Sequence, residues 1–136
     1  MNMREYRHKI TIPFHDIDAA GIVFFAHLFR YAHEAYEHFM SAIGHSLADV
    51  INEGNYLLPL VHAEADYKKP LHHNETVTIE LVVKKLGDTS YILHYRFLAA
   101  DDQLRAEVET VHVTLDAKNH QPVSIPDSLR RALSED

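Results

Sequence analysis

The chain has 136 residues, which is the usual length of one domain, so we expect a single domain over residues 1–136. Hydrophobic residues make up 46% and charged residues 24% of the sequence, which is typical of a globular protein. The net charge of −7 argues against a nucleic-acid-binding protein with a broad basic surface. The sequence contains no cysteine, which excludes disulfide bonds, a thiolate nucleophile and cysteine-based metal sites.

The sequence also predicts where the protein resides and how it responds to acid. No stretch reaches the roughly 18 apolar residues that a membrane span needs. The amino-terminal segment carries charges early and has no apolar run of signal-peptide length, so we expect a cytoplasmic protein. The 12 histidines predict acid sensitivity, because protonating all of them would bring the net charge from −7 to +5.

The first half of the chain predicts a strand followed by two helices. Residues 6–14 alternate loosely and are rich in β-branched side chains, which predicts a first strand. Apolar residues then recur every three or four positions, which predicts one long amphipathic helix over residues 24–43. Ser46 and Gly54 have the residue types that cap helices, and they bound a second, short helix over residues 47–53.

The second half of the chain predicts an antiparallel meander and a final helical turn. Apolar and polar residues alternate in four segments, most strongly in the second of them. The predicted strands cover residues 56–67, 75–85, 90–99 and 103–116, and the helical turn covers residues 128–133. This order of elements is an α+β pattern, and a curved sheet is needed to cover the single long apolar helix.

The densest cluster of reactive side chains lies directly before the long helix, in the segment HDIDAAG. It contains His15, Asp16, Asp18 and Gly21, and the free N–H groups of a helix amino terminus favour negative charge at this place. A carboxylate there can act as base or nucleophile in acyl transfer to water, while helix N–H groups stabilise the oxyanion. The alternative is a structural loop with capping aspartates and a turn glycine.

The string HDIDAAGIVFFAHLFRYAHEAYE resembles the active-site segment of the 4-hydroxybenzoyl-CoA thioesterase family, whose members are hotdog-fold acyl-CoA hydrolases. The family pattern is an acidic residue, any residue, Asp, two small residues, Gly, an apolar pair and an aromatic residue. The resemblance extends in element order and length over nearly the whole chain. It implies a hotdog fold, an antiparallel curved β-sheet wrapped around one long central α-helix.

The same resemblance implies an activity and an assembly. The protein is expected to be a thioesterase that hydrolyses an acyl-CoA to free acid and CoA, with no metal or other cofactor. Members of the family act as homodimers or homotetramers with the active site at the subunit interface, so we expect the same assembly here. A small domain with a long, one-sided sheet and two open edges is consistent with this expectation.

The family motif also implies roles for individual residues. Asp18 matches the catalytic carboxylate, which acts either as nucleophile or as general base. Gly21 matches the motif glycine beside the thioester, and the backbone N–H of Phe25 matches the donor that polarises the thioester carbonyl. One subgroup of the family, similar to the Tol–Pal-associated thioesterases, carries a histidine at the position of Phe25. That role is therefore unfilled here or is taken by His27.

Two further strings carry a narrower resemblance. The helix segment HEAYE, residues 33–37, and the strand segment LPLVHA, residues 58–63, are similar to those of 1,4-dihydroxy-2-naphthoyl-CoA thioesterases of quinone biosynthesis. This resemblance implies a flat aromatic acyl group held in an apolar pocket.

A polar stripe runs along the predicted long helix. His27, Tyr31, Glu34 and His38 recur at spacings of four, three and four. The stripe predicts one wall of a substrate cleft, a subunit interface or a solvated face, and Glu34 is the candidate for a second functional carboxylate that orients water or substrate. His62 lies in an apolar strand, where it either contacts substrate or forms a hydrogen bond in the core or an interface.

Coenzyme A carries phosphates, which require local positive charge in a chain whose net charge is negative. Lys68 and Lys69 stand beside Pro70 at a predicted strand end, and we expect them to contact the CoA phosphates. Each lysine is otherwise an ordinary surface charge.

Two other functions compete with the thioesterase hypothesis. A hotdog hydratase or dehydratase would use a histidine and a carboxylate near the helix, here His27 with Glu34, but it does not need the Asp-x-Asp-x-x-Gly string. A non-catalytic acyl-CoA-binding module would bind its ligand without turnover, and replacing Asp18 would leave that binding unchanged.

Overall fold

The computed structural model describes residues 4–134, in which an antiparallel sheet curves around one long helix. The strands are β1 (Glu5–Thr11), β2 (Tyr56–Leu57), β3 (Leu60–Tyr67), β4 (Thr76–Leu86), β5 (Ser90–Leu98), β6 (Leu104–Val113) and β7 (Leu115–Asp116). The helices are α1 (His27–Ala42), α2 (Leu47–Glu53) and α3 (Asp127–Ser134). Among the described helices, none combines the length and the hydropathy needed to cross a membrane.

The main sheet has the strand order β1-β4-β5-β6-β3, with every neighbouring pair antiparallel. Only β4, β5 and β6 form the predicted meander, whereas β3 pairs with β6 and not with β4. Hairpin connections are short, usually two to about five residues. The connection between β3 and β4 runs from residue 68 to residue 75, which is long enough to carry the chain across the sheet. As a result β3 lies at one edge of the sheet.

The core lies between α1 and the concave face of the sheet. Alternate residues of β4 have no exposed surface, which confirms the predicted alternation of that strand. They pack with the buried face of α1 around Ala35, Tyr36 and Phe39, and α3 contributes Leu129 and Leu133. The predicted helical turn near the carboxyl end is therefore a short helix that closes one part of the core.

Helix α1 begins at His27, three residues later than predicted. The preceding turn is held by short-range bonds from the His27 N–H to the Phe24 carbonyl and from the Leu28 N–H to the Phe25 carbonyl. Phe25, which lies within the predicted helix over residues 24–43, therefore precedes α1 and is 58% exposed. Tyr31, predicted in the polar stripe, is instead buried. Its ring contributes apolar area to the core, and its hydroxyl donates a hydrogen bond to the buried Asp16.

Helix α2 has the predicted limits. The Ser46 hydroxyl accepts a hydrogen bond from the Asp49 N–H at 3.2 Å, as expected of an amino-terminal cap. Gly54 has φ +65°, the left-handed conformation that commonly ends a helix. These signals are local in the chain, which is why the sequence was sufficient to place this helix.

Candidate active site

The segment before α1 forms a tight turn that presents Asp18. The Asp18 N–H donates to the Ile22 carbonyl at 2.9 Å, and the Gly21 N–H donates to the Asp18 carbonyl at 3.0 Å. Gly21 has φ +81°, a conformation that residues with a Cβ rarely adopt. The glycine of the motif is therefore required by the turn, and the turn fixes the backbone of Asp18.

The two oxygens of the Asp18 carboxylate have different surroundings. Oδ1 accepts a hydrogen bond from the Ala20 N–H at 2.8 Å, which holds the side chain in place. Within residues 4–134 the other oxygen has no hydrogen-bond partner. The side chain is half-buried and lines a cavity. One oxygen is thus anchored, while the other is available to a bound molecule.

The cavity has a volume of about 430 Å³ and lies between this turn, the start of α1 and the carboxyl end of β3. Four of the predicted site residues contribute to its lining, namely Asp18, Phe25, Lys68 and Lys69. Most of the remaining wall is apolar, with Ile22, Val23, Phe24, Leu28, Tyr67, Pro70, Leu71 and Ala106. A mostly apolar cavity with a few convergent polar groups is the usual form of a small-molecule site.

The backbone of Phe25 offers a hydrogen-bond donor at the start of α1. Among residues 4–134, no acceptor pairs with the Phe25 N–H, and the cap residue Ala26 has no capping side chain. The first N–H groups of a helix lack partners inside the helix and favour a negative charge nearby. The free carboxylate oxygen of Asp18 and the free N–H of Phe25 therefore belong to residues that line one cavity.

Asp16, two residues before Asp18, is only 3% exposed and is fully engaged. It accepts hydrogen bonds from the Tyr31 hydroxyl, at 2.5 Å, and from the Arg30 guanidinium. Burial by itself raises the pKa of Asp16, but these two hydrogen bonds and the nearby positive charge of Arg30 outweigh it, so the pKa is lower than usual. Asp16 is therefore a fixed anion that ties the turn to α1.

The other candidate residues lie outside the cavity. His15 is 80% exposed, and both His15 and His27 face Asp16 at 3.7 and 3.8 Å. Glu34 pairs with His8 of β1 at 2.8 Å, and His62 pairs with Glu64 on the edge strand at 3.2 Å. His27 and Glu34 have separate partners, so nothing in their contacts favours the hydratase alternative.

The side chains of the two lysines differ in whether they lie near a carboxylate. The backbone N–H groups of both donate to the Arg105 carbonyl, which fixes this corner of the cavity. The Lys68 ammonium lies 3.8 Å from a carboxylate oxygen of Glu107, whereas Lys69 has no acidic partner in the described part of the chain. Lys69 is the freer positive charge at the cavity mouth.

Sequence reasoning missed Tyr67, which ends β3 and lies at the cavity. Tyr67 and Phe25 form an edge-on ring pair with centroids 6.3 Å apart, and Phe24 lies against Phe25 at 4.8 Å. All three rings are between 43% and 58% exposed. The only sequence signal was an aromatic residue directly before Lys68, at the end of an alternating strand.

An antiparallel sheet wrapped around one long helix is the hotdog architecture. A family profile described as the Thioesterase-like superfamily matches residues 12–133. A 1,4-dihydroxy-2-naphthoyl-CoA hydrolase of Synechococcus elongatus is 36% identical over 94% of each chain. The crystal structure of a 1,4-dihydroxy-2-naphthoyl-CoA thioesterase from Synechocystis superposes with a TM-score of 0.90, at 27% identity over 96% of each chain.

A gentisyl-coenzyme A thioesterase has a TM-score of 0.83 and 29% identity, covering 94% of this chain and 98% of its own. These matches extend over almost the whole length of the chain and of its relatives. The chain belongs to the Thioesterase-like superfamily and is a thioester hydrolase that acts on acyl-CoA.

Proposed function

We propose that this protein hydrolyses an aromatic acyl-CoA, with 1,4-dihydroxy-2-naphthoyl-CoA as the first candidate, and that Asp18 and the Phe25 N–H carry the reaction. The observation that supports the proposal most directly is that one apolar cavity is lined by Asp18, with a free carboxylate oxygen, and by Phe25, with a free backbone donor. The relatives that are named for this substrate support the choice of acyl group.

The chemistry follows from these two groups. The thioester carbonyl oxygen accepts the Phe25 N–H, which stabilises the negative charge that develops on that oxygen. Asp18 either attacks the carbonyl carbon, forming an anhydride that water then opens, or takes a proton from the attacking water. In both routes the C–S bond breaks, CoA leaves as the thiolate and takes up a proton, and the acyl group leaves as the free acid.

The aromatic lining supports a flat acyl group. Phe24, Phe25 and Tyr67 present three partly exposed rings around the cavity, and rings of this kind attract one another in edge-on or offset arrangements. A naphthoyl or benzoyl group can replace solvent on these rings. A gentisyl-CoA thioesterase among the structural neighbours is named for another hydroxylated aromatic acyl group.

Lys68 and Lys69 are proposed to hold the CoA phosphates. Replacing Lys69 with alanine should raise the KM for an acyl-CoA severalfold and leave the KM for the matching acyl-pantetheine unchanged, because pantetheine lacks the nucleotide phosphates. The matched control is Lys118→Ala, a lysine on the exposed turn after β7. An equal rise with both thioesters would contradict the phosphate role.

The active site is proposed to form at the interface of a homodimer or homotetramer. Seven of the eight residues of β3 are exposed, and exposed apolar side chains include Leu60, Val61 and Tyr67. Such an open apolar edge is a template for pairing with another strand. A two-fold pairing of β3 with a second copy is antiparallel, so it places the Tyr67 end of one copy beside the Leu60 end of its partner.

Pairing of this kind brings two cavities together. A second cavity of about 640 Å³ lies between α1 and the Leu60 end of β3. In a two-fold dimer the cavity at Asp18 of one copy would adjoin this second cavity of the partner. Light scattering at micromolar concentration should therefore find a dimer or larger assembly, and the substitution Val61→Lys should weaken it. A monomeric wild-type protein would contradict the proposal.

The experiment that tests the proposed activity is the release of free thiol from a panel of acyl-CoAs by the wild type and by Asp18→Asn. The panel contains aliphatic chains of several lengths, benzoyl-, 4-hydroxybenzoyl-, phenylacetyl- and 1,4-dihydroxy-2-naphthoyl-CoA. We expect the highest kcat/KM with a hydroxylated aromatic acyl group and almost no turnover by the variant. A preference for aliphatic chains would overturn the acyl assignment, and an active variant would overturn the role of Asp18.

A further inference from the structure

Tyr67 connects the edge strand of the sheet to the start of α1. Its hydroxyl donates a hydrogen bond to the Phe25 carbonyl oxygen at 3.0 Å, across 42 residues of sequence. Its ring also meets the Phe25 ring edge-on, at an interplanar angle of 84°. Tyr67 lines the same cavity as Asp18. Tyr67 therefore contacts the carbonyl of the residue that carries the free N–H, although it comes from a different element.

The Phe25 carbonyl accepts two hydrogen bonds, one from the Tyr67 hydroxyl and one from the Leu28 N–H at 3.2 Å. The cap residue Ala26 provides no side-chain hydrogen bond to the start of α1. The two hydrogen bonds to the Phe25 carbonyl restrict rotation about the Cα–C bond of Phe25, whereas the Phe25 N–H belongs to the preceding peptide unit, whose Phe24 carbonyl accepts from the His27 N–H at 3.0 Å. The Tyr67 hydroxyl therefore holds the carbonyl side of the residue that carries the free N–H, and the His27 N–H holds the other side.

The hydroxyl is suited to a permanent donor role. Partial burial raises the pKa of Tyr67 above its ordinary value, so it stays protonated throughout the neutral range. The carbonyl cannot donate, so the direction of the bond is fixed.

We propose that Tyr67 is a positioning residue that aims the Phe25 N–H at the thioester oxygen. The inference rests on the proposed function, in which that N–H stabilises the oxyanion. Because a donor must lie about 3 Å from the place where the charge develops, a small displacement of the Phe25 backbone weakens the stabilisation. The contribution is therefore felt in the transition state more than in substrate binding.

The first test compares the kinetics of Tyr67→Phe with those of the wild type. The variant keeps the ring and loses only the hydroxyl. We expect kcat to fall roughly tenfold, a part of the loss that follows complete removal of an oxyanion donor, while KM changes less than about twofold. The matched control is Tyr6→Phe, a tyrosine of β1 whose ring packs on Phe39 away from the cavity. It should retain the wild-type kcat.

A second test measures carbonyl polarisation directly. Benzoyl-CoA labelled with carbon-13 at the carbonyl is bound to Asp18→Asn, which binds without turnover, and its carbonyl stretch is recorded by isotope-edited infrared spectroscopy. We expect the frequency to be lower than that of free benzoyl-CoA, and this lowering to shrink in the double variant Asp18→Asn/Tyr67→Phe. A purely structural role of Tyr67 would leave the shift unchanged.

The outcomes separate this inference from the proposed function. If the wild type is active, Asp18→Asn is inactive and Tyr67→Phe keeps its kcat, the positioning role is overturned and the proposed function stands. If Tyr67→Phe raises KM and leaves kcat unchanged, the hydroxyl binds substrate and does not position the donor. If the wild type hydrolyses no member of the panel, both fail together.

Discussion

Asp16 and Asp18 are two residues apart in one motif, yet the fold gives them opposite environments. Asp16 is buried, accepts hydrogen bonds from Tyr31 and Arg30, and has a lowered pKa. Asp18 is half-buried, with one oxygen held by the Ala20 N–H and the other facing a cavity. The first carboxylate holds the turn against the helix, and the second leaves one oxygen open to the cavity.

A pair of neighbouring carboxylates can thus divide two tasks. A reactive carboxylate needs a fixed position and at least one oxygen without a partner. A carboxylate that also fastens its own loop uses its oxygens for that purpose, so the two requirements conflict. Here the fastening is done by Asp16, whose carbonyl also accepts the Phe24 N–H at 3.0 Å. Removing each carboxylate in turn should therefore give opposite results for activity and for stability.

The largest effect is expected from Asp18→Asn. Its turnover should fall at least about 100-fold, equivalent to roughly 2.7 kcal/mol of transition-state stabilisation, because the amide is neither a base nor a nucleophile. The midpoint of thermal unfolding should stay within about 2 °C of that of the wild type, since no buried partner is lost. Thiol release and calorimetry on the same preparation measure both quantities. A large loss of stability would show that Asp18 also fastens the turn.

Asp16→Ala should show the reverse pattern. Removing this carboxylate leaves the buried Tyr31 hydroxyl without its acceptor, which costs about 2 kcal/mol of unfolding free energy. Denaturant unfolding followed by circular dichroism gives this value. Activity per folded molecule should fall less than in Asp18→Asn. If Asp16→Ala loses as much turnover as Asp18→Asn while remaining as stable as the wild type, the division of tasks is wrong.

Acid should remove the advantage that Asp16 provides. Because the folded-state pKa of Asp16 is below its ordinary value of 3.8, its stabilising contribution is fully present well above that pH. The contribution is lost as the pH falls below about 3.8 towards the folded-state pKa. The difference in unfolding free energy between wild type and Asp16→Ala should therefore shrink as the pH falls below about 3.8. A difference that keeps growing below that pH would contradict this assignment.

Tyr31→Phe should give the smallest effect. The substitution removes one hydrogen bond to Asp16 and keeps the ring, so a loss of about 1 kcal/mol in unfolding free energy is expected. The pKa of Asp16 should rise towards its ordinary value, because one of the groups that lowers it is gone. Carboxyl NMR titration of Asp16 in the wild type and in the variant measures this change. An unchanged pKa would mean that Arg30 and His27 hold the charge without the Tyr31 hydroxyl.

Features that depend on near neighbours in the chain could be predicted from the sequence. Helix α2 was located by Ser46 and Gly54, and the inward side of β4 by its alternation, because caps and strand faces are properties of a few consecutive residues. The motif before α1 located Asp18 and Gly21 through its resemblance to a known family. The start of α1 was placed too early, because Phe24 and Phe25 continue the apolar spacing without being helical.

Features that depend on distant partners could not be predicted. Nothing in the sequence indicates that Asp16 is buried and Asp18 is not. The difference arises because Arg30 and Tyr31, which lie 14 and 15 residues after Asp16, form hydrogen bonds with it. Tyr67 approaches Phe25 only because β3 pairs with β6 at the edge of the sheet. Neither the sequence around Tyr67 nor the sequence around Phe25 indicates that the hydroxyl and the carbonyl are in contact.

The response to acid also depends on both the sequence and the tertiary structure. The number of histidines predicted acid sensitivity, but only the tertiary structure singles out His112, which is 1% exposed and whose ring stacks against the rings of Tyr36 and Tyr91. Burial lowers the pKa of His112 to about 4, so the folded protein resists a proton that the unfolded chain accepts near pH 6.5. Stability contributed by neutral His112 is therefore lost as the pH falls from about 6.5 to about 4.

The amino-acid sequence was sufficient to predict the α+β class, the long helix and most strands with their approximate limits, and Asp18 as the carboxylate of the candidate site. These predictions follow from periodicity and from a short motif, which are properties of consecutive residues. Three features came only from the tertiary structure, namely the burial of Asp16, the position of β1 and β3 at the edges of the sheet, and the contact of Tyr67 with the start of α1. Each of these depends on groups far apart in the chain, whose approach is set by how the sheet closes around the helix.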